Sequence, residues 1–142
     1  MNNFGVILAS HGKFATESLN VAKMIAGNFD NFIALELKEN DSKQEFKKEF
    51  IEKFDSLQEK YDFVICLCDI YGGTPFNIVI ESVIEGKDFI AYAGFNMPMI
   101  LELCMLDQIN KDDAEKIIEE VYKRSLVNMK DLVYEKEKEI DL

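Results

Sequence analysis

The chain contains a single histidine, His11, at a point where α/β proteins place reactive side chains. His11 follows an apolar run at residues 4–9 that is typical of a buried parallel strand, and Gly12 and a helical pattern come after it. Open α/β sheets bind ligands at the carboxyl ends of their strands, so His11 is a candidate active-site residue. Near neutral pH an imidazole can act as a base, a metal ligand or a nucleophile, and it can also merely cap a helix.

A second unusual segment, residues 69–77, follows the apolar run at residues 63–68 and has the sequence Asp-Ile-Tyr-Gly-Gly-Thr-Pro-Phe-Asn. Its two glycines allow the backbone to approach a ligand, and Thr74 is placed to cap a helix that has Pro75 in its first turn. Free N–H groups and the helix dipole at such a start attract anions, and phosphate suits this geometry best. The segment therefore predicts a phosphate-binding loop, with a simple tight turn as the alternative.

Asp69 is the candidate partner of His11. If the second and third strands lie on opposite sides of the first, the turn at His11 and the segment 69–77 meet at the topological switch point of the sheet. A carboxylate that accepts the N–H of one imidazole nitrogen fixes the tautomer and leaves the other nitrogen free as a nucleophile. The alternative for Asp69 is a carboxylate that caps its own turn.

The elements that must position these residues follow from the hydrophobic pattern. Four apolar, strand-like runs alternate with helical patterns, at residues 4–9, 32–37, 63–68 and 89–93. Such alternation implies βαβ units with right-handed crossovers. We therefore predict an α/β fold with a doubly wound, mainly parallel four-stranded sheet and helices on both faces.

Two further patterns concern the second helix and the carboxyl-terminal segment. After Ser42 and Glu45, which predict a capping box, Phe46, Phe50 and Phe54 form an apolar stripe that indicates core packing, with an aromatic binding groove as the alternative. In the segment 126–133 two apolar pairs predict a short strand, and the charged residues 134–139 are expected in solvent.

Length and charge limit the class of protein. A chain of 142 residues suits one domain, 1–142, although the part from about residue 126 is the least regular. Subtracting 27 acidic from 16 basic residues gives a net charge of −11, which argues against binding to nucleic acid or anionic membranes. Neither a membrane span nor a secretion signal is visible in the sequence, so we expect a cytoplasmic protein.

Cysteine usage and motif content narrow the chemistry further. Cys66, Cys68 and Cys104 look like small core residues in a reducing compartment, and a zinc site fits their spacing poorly. The glycine-rich nucleotide loops and the serine-hydrolase elbow are missing from the sequence. A phosphohistidine needs only one histidine, which favours that chemistry, and it calls for neither a metal nor a cofactor.

Three separated motifs together carry a resemblance to a known family. They are Gly-Val-Ile-Leu-Ala-Ser-His-Gly at residues 5–12, the segment 69–77, and Ala-Gly-Phe-Asn-Met-Pro-Met at residues 93–99. In this order, over residues 1 to about 125, the chain closely resembles the enzyme IIA component of the mannose family of the bacterial sugar phosphotransferase system.

The resemblance implies a phosphoryl carrier that relays phosphate toward incoming sugar. The donor is expected to be the histidine-containing protein HPr, the acceptor a IIB domain, and the membrane components IIC and IID act further along. His11 matches the phosphorylated residue of the family and Asp69 the aspartate that orients its imidazole. The matching phosphate-proximal residues are Gly72, Gly73, Thr74, Phe76 and Asn77, with Thr74 standing where serine is also common.

The resemblance also implies a homodimer and leaves two other functions open. In the family the last strand can be exchanged between subunits, and here residues 126–133 would be that fifth, antiparallel strand. One alternative function is the phosphocarrier subunit of phosphotransferase-dependent dihydroxyacetone kinase, although Gly12 after His11 favours sugar transport. The other is a regulatory module that senses phosphorylation by binding partners.

Overall fold

The computed structural model describes the backbone of residues 1–140 and the side chains of residues 1–136. Strands alternate with helices through the fourth strand, and the described elements after it are helices. The elements are, in chain order, β1 (Phe4–His11), α1 (Phe14–Ala26), β2 (Phe32–Leu37), α2 (Lys43–Lys60), β3 (Phe63–Cys68), α3 (Gly73–Ile84), β4 (Ile90–Ala93), α4 (Met97–Cys104), α5 (Lys111–Arg124) and α6 (Met129–Ile140).

The four strands form one parallel sheet in the order β2-β1-β3-β4. β1 lies at the centre of the winding, with β2 on one side and β3 on the other, and it is buried up to Ser10. The direction of winding therefore reverses at β1, and the crevice that this reversal opens lies at the end of the strand, beside His11. The predicted doubly wound parallel sheet is confirmed.

Helices cover both faces of the sheet because the strand side chains alternate between two cores. Val6 and Leu8 pack in one core with residues of α1, α4 and α5. Ile7 and Ala9 point the other way and pack with residues of α2 and α3. This alternation places α1 on one side of His11 and α3 on the other.

The second helix, α2, has the capping box and the buried apolar stripe that the sequence predicts. Ser42 and Glu45 form the predicted capping box, which satisfies backbone N–H groups at the start of α2. Phe46, Phe50 and Phe54 are at most 1% exposed and pack against the sheet. The stripe is therefore core, and it forms no open aromatic groove.

The start of α3 differs from the prediction. The N-cap is Gly72, and Thr74 lies inside the first turn and caps nothing. Gly72 and Gly73 have φ angles of +82° and +84°, a region that disfavours side chains, and this glycine pair turns the chain directly into the helix. The helix consequently begins one residue before Thr74.

The predicted fifth strand at residues 126–133 is wrong, because the chain enters α6 at Met129. Leu132 and Val133 stand three and four residues after Met129, so their spacing fits a helix face as well as a strand. Helix-forming Lys and Glu residues follow and favour the helix. Within the described residues, Tyr134 to Lys136 are exposed as expected, and the side chains of residues 137–139 lie outside the part that the structure describes.

Candidate active site

The carboxyl ends of β1 and β3 bring His11 and Asp69 into direct contact. The Nδ1 atom of His11 lies 2.9 Å from Oδ2 of Asp69, and the same oxygen accepts the backbone N–H of His11 at 2.9 Å. The other oxygen, Oδ1, accepts the backbone N–H of Ile70 at 3.0 Å. A carboxylate only accepts hydrogen bonds, so Nδ1 carries the proton and Nε2 keeps its lone pair.

The exposure of the pair suits a nucleophile supported by a fixed carboxylate. The His11 side chain is 47% exposed, whereas the Asp69 side chain is 8% exposed. The imidazole is thus accessible to a reactant, and its partner is shielded from solvent. Because low exposure strengthens the hydrogen bond and restricts the carboxylate, the ring is held in one orientation.

The amino-terminal end of α3 lies against the free edge of the imidazole. A Cβ atom added to Gly73 would lie 3.0 Å from Cε1 and 3.1 Å from Nε2 of His11. The N-cap Gly72 provides no side chain to occupy the first N–H groups of the helix. Negative charge on Nε2 would therefore lie beside the positive end of the helix dipole.

The remaining predicted phosphate-proximal residues lie on α3 after the glycines. Thr74 and Asn77 are three residues apart, which places them on neighbouring positions of one helix face. Phe76 is partly buried, and its ring centroid lies 4.9 Å from that of Tyr71. The structure gathers these residues around the start of α3, and Gly73 is the one whose closeness to His11 is measured directly.

The third sequence motif, residues 93–99, contacts the strand end that carries Asp69, a contact that the sequence did not predict. The backbone N–H groups of Gly94 and Phe95 both donate to the carbonyl oxygen of Cys68, at 2.9 and 3.2 Å. Cys68 immediately precedes Asp69, whose own N–H donates to the carbonyl of Ala9 at 3.1 Å. The loop after β4 thus fixes the strand end from which Asp69 projects.

Exposed aromatic and aliphatic side chains flank the histidine. Phe14, the first residue of α1, is 52% exposed and stacks on the buried Phe95 with ring centroids 5.2 Å apart. Ile70 and Tyr71 are also exposed, on the loop between Asp69 and Gly72. An aromatic residue three positions after the candidate nucleophile was the signal that could have revealed this surface. We call Phe14, Ile70 and Tyr71 the apolar rim.

The cysteines behave as core residues. Cys66 and Cys68 are buried, and burial raises the pKa of the Cys66 thiol and raises that of Cys68 to about 12, with the nearby charge of Asp69 contributing to the latter. Both thiols are therefore protonated at neutral pH and poorly nucleophilic. Among the described side chains, no group of three or more His, Cys, Asp and Glu residues could hold a metal ion.

Within the part of the chain that the structure describes, no helix is long and apolar enough to cross a bilayer.

Comparisons with known proteins agree with this geometry. A family model described as the PTS system fructose IIA component, where PTS denotes the phosphotransferase system, matches residues 5–122. The fructose-specific EIIA component of Bacillus subtilis is 30% identical over 101 residues, which cover 71% of this chain and 68% of that protein. The mannose-specific EIIAB component of Escherichia coli K12 is 28% identical over 103 residues, which cover 70% of this chain but only 31% of that protein.

The solved structures give the same result. A PTS IIA protein associated with the fucose utilization operon of Streptococcus pneumoniae superimposes with a TM-score of 0.82 at 30% identity, covering 93% of this chain and 97% of that one. The range that the family model matches, residues 5–122, includes His11, Asp69 and the whole segment 69–77. The resemblance seen in the three sequence motifs is thereby confirmed, and the chain belongs to the mannose and fructose family of enzyme IIA components, the phosphoryl carriers of the sugar phosphotransferase system.

Proposed function

We propose that this enzyme IIA component accepts a phosphoryl group from HPr on Nε2 of His11 and passes it to a IIB domain during sugar uptake. The observation that carries the proposal is the 2.9 Å contact between Nδ1 of His11 and Asp69, with Nε2 turned toward the start of α3. This arrangement supplies a nucleophilic nitrogen of fixed tautomer beside an anion-attracting helix end.

The transfer needs no net proton movement at His11. The Nε2 lone pair attacks the phosphorus of the donor phosphohistidine, a new N–P bond forms, and the N–P bond of the donor breaks with its electron pair returning to the donor ring. The His11 ring keeps its Nδ1 proton and becomes positively charged, and the Asp69 carboxylate stabilises that charge. In the second transfer the acceptor takes the phosphoryl group, and the electron pair returns to Nε2.

The start of α3 provides the charge stabilisation that this transfer requires. Gly72 and Gly73 let the backbone lie close to Nε2, so the first N–H groups of α3 can bind the oxygens of the phosphoryl group. We assign Thr74 and Asn77 as further hydrogen-bond donors on the same helix face. Phe76 supports the loop through its contact with Tyr71.

The apolar rim is the surface on which both partners would dock. Donor and acceptor must each bring a reacting group to the same Nε2 atom, so each must cover the residues around it. Phe14 and Tyr71 offer rigid, exposed aromatic surface, which is the residue type that dominates binding energy in protein interfaces. The chain would work in the cytoplasm, as one domain. IIB would pass the phosphoryl group to the incoming sugar, and the membrane components IIC and IID would take part only indirectly.

A homodimer is the second part of the proposal. In the described sheet β4 pairs with β3 on one side only, and Ile80, Val83 and Ile84 of α3 are 43–78% exposed. An open sheet edge and an exposed apolar helix face are features that a symmetric partner covers. A second copy of this chain is therefore expected on that surface.

The experiment that tests carrier function follows phosphate in and out of the chain. The protein is incubated with labelled phosphoenolpyruvate, enzyme I and HPr, and a mannose-family IIB domain is then added. We expect acid-labile label on this chain, none from ATP alone, and loss of the label to IIB. Label that enters but never reaches IIB would indicate a phosphorylation sensor, and acid-stable label would exclude a phosphohistidine.

A further inference from the structure

Ser10 is a completely buried polar residue that directly precedes the histidine. Its Oγ atom accepts the backbone N–H of Ala15 at 2.7 Å and donates to the carbonyl of Gly12 at 3.3 Å. These two contacts span the segment 10–15, which contains His11. One hydroxyl thus ties the end of β1 to the first turn of α1.

The first turn of α1 depends on this hydroxyl because its own cap is unsuitable. Lys13 occupies the N-cap position and makes no side-chain hydrogen bond there. Ala15 is fully buried, and its backbone N–H donates to Oγ of Ser10, five residues earlier in the chain. On its other side the loop is held by the N–H of Gly12, which donates to the carbonyl of Leu37 on β2 at 2.8 Å.

Ser10 does not face the reacting atoms. Successive side chains of a strand point to opposite sides, and Ser10 contacts the start of α1 whereas His11 contacts Asp69. Any effect of Ser10 on the reaction must therefore pass through the backbone of residues 10–15.

We propose that Ser10 is a positioning residue for phosphoryl transfer, an inference that rests on the proposed role of His11. Its hydroxyl holds the loop where a single oxygen of Asp69 reaches both the ring and the backbone N–H of His11, each at 2.9 Å. A shift of about 1 Å would take both bonds beyond hydrogen-bond length and would move Nε2 away from the start of α3.

The test compares Ser10→Ala with a matched control, Ser82→Ala. Ser82 is also completely buried, and its Oγ donates to the carbonyl of Ile78 at 3.0 Å, so this hydrogen bond stays within α3 and does not involve the His11 loop. Ser10→Thr, which restores the hydroxyl, and Ser10→Cys, whose sulfur accepts only weakly, complete the set. Thermal unfolding, the KM for phosphorylated HPr, kcat, and the nitrogen-15 spectrum of the His11 ring are measured for each protein.

Ser10→Ala is expected to lower kcat about 10- to 100-fold with little change in KM, as a displaced nucleophile should. It should also reduce the population of the ring tautomer that carries the proton on Nδ1. Ser10→Thr should restore both, Ser10→Cys should fall between, and Ser82→Ala should keep the parental kcat and spectrum.

Two results would overturn the inference: a kcat and spectrum of Ser10→Ala equal to those of Ser82→Ala, or no recovery in Ser10→Thr. If Ser10→Ala does not fold, Ser10→Cys decides by the same comparison. The nitrogen-15 spectrum is recorded on unphosphorylated protein, so it tests Ser10 even if the parent chain takes no phosphoryl group. A parent chain that takes no phosphoryl group would count against the proposed function of His11 and not against the role of Ser10.

Discussion

Asp69 binds the ring and the backbone of the same residue through one oxygen, and this double contact is the main physical feature of the site. Two bonds from one atom restrict rotation about both side-chain torsions of His11. The imidazole of His11 is therefore oriented before a phosphoryl donor binds, and little of its conformational freedom is lost during transfer.

Replacing Asp69 by Asn should slow phosphoryl transfer without unfolding the protein. The amide keeps the size of the side chain but no longer stabilises the positive ring by its charge. Hydrogen bonds to charged groups contribute about 1.5–3 kcal/mol, so we expect rates to fall roughly 10- to 100-fold. Rapid-quench measurements with phosphorylated HPr and with IIB report both steps, and parental rates in both would show that Asp69 is only structural.

Gly73→Ala should block phosphorylation, and Gly27→Ala, at the end of α1, provides its control. Both glycines have positive φ angles, so each substitution costs roughly 1–3 kcal/mol of backbone strain. Only at Gly73 would the new methyl group lie about 3 Å from Nε2 of His11, whereas at Gly27 no neighbouring atom lies within 4 Å of it. Labelling from HPr should therefore fail in Gly73→Ala and persist in folded Gly27→Ala; equal labelling would contradict the proposed position of the phosphoryl group.

At the scale of single residues, the sequence predicted the groups whose chemistry is unusual. His11 is the only histidine, and Asp69 ends an apolar run, so both could be recognised from type and position. The roles of Ser10 and Phe95 could not be recognised in this way, because they depend on contacts with Ala15 and Phe14 that no local sequence pattern predicts.

At the scale of elements, strong periodicity was reliable and short apolar pairs were not. The four strands and the phenylalanine stripe of α2 were predicted because burial on defined faces requires those patterns. The start of α3 was misplaced because a pair of glycines replaced the expected threonine cap. The segment after α5 was misassigned because two apolar pairs whose members lie five to seven residues apart fit either a helix or a strand period.

Removing residues 126–142 should leave the folded body nearly unchanged. Leu126 and Met129 are 95% and 78% exposed, so their deletion removes few buried contacts. Ser125, which accepts a hydrogen bond from the side chain of Asn96 at 2.9 Å, is retained. We expect the free energy of unfolding to change by less than about 1 kcal/mol in a denaturant titration. A loss of several kcal/mol would mean that α6 packs on the body of the protein.

At the scale of the whole molecule, two regions of the exposed apolar surface have different proposed roles. The apolar rim lies at the start of α1 and in the loop after β3, and the face of Ile80, Val83 and Ile84 lies farther along α3, where Ile80 lines a cavity with residues of β4. We expect a dimer to form on the second region, while phosphoryl donors and acceptors bind at the first. The net charge of −11 disfavours non-specific binding to nucleic acids and anionic membranes.

Ile84→Glu should therefore weaken the dimer while preserving the fold. Ile84 is 78% exposed, so a charge there costs little in the monomer but would be buried in the proposed interface. Met24→Glu on α1, where the methionine is 85% exposed, is the matched control and should leave assembly unchanged. Sedimentation velocity at micromolar concentration measures both; a parent protein that sediments as a 16.4 kDa monomer would reject the dimer.

The central claim is that the phosphoryl group resides on His11. The most direct test maps the modified residue after incubation with phosphoenolpyruvate, enzyme I and HPr at neutral pH, in the parent protein and in His11→Ala. Because the imidazole is 47% exposed, the alanine variant should fold with nearly parental stability. We predict phosphate on His11 in the parent and none in the variant. Phosphate on a folded His11→Ala chain would contradict the mechanism.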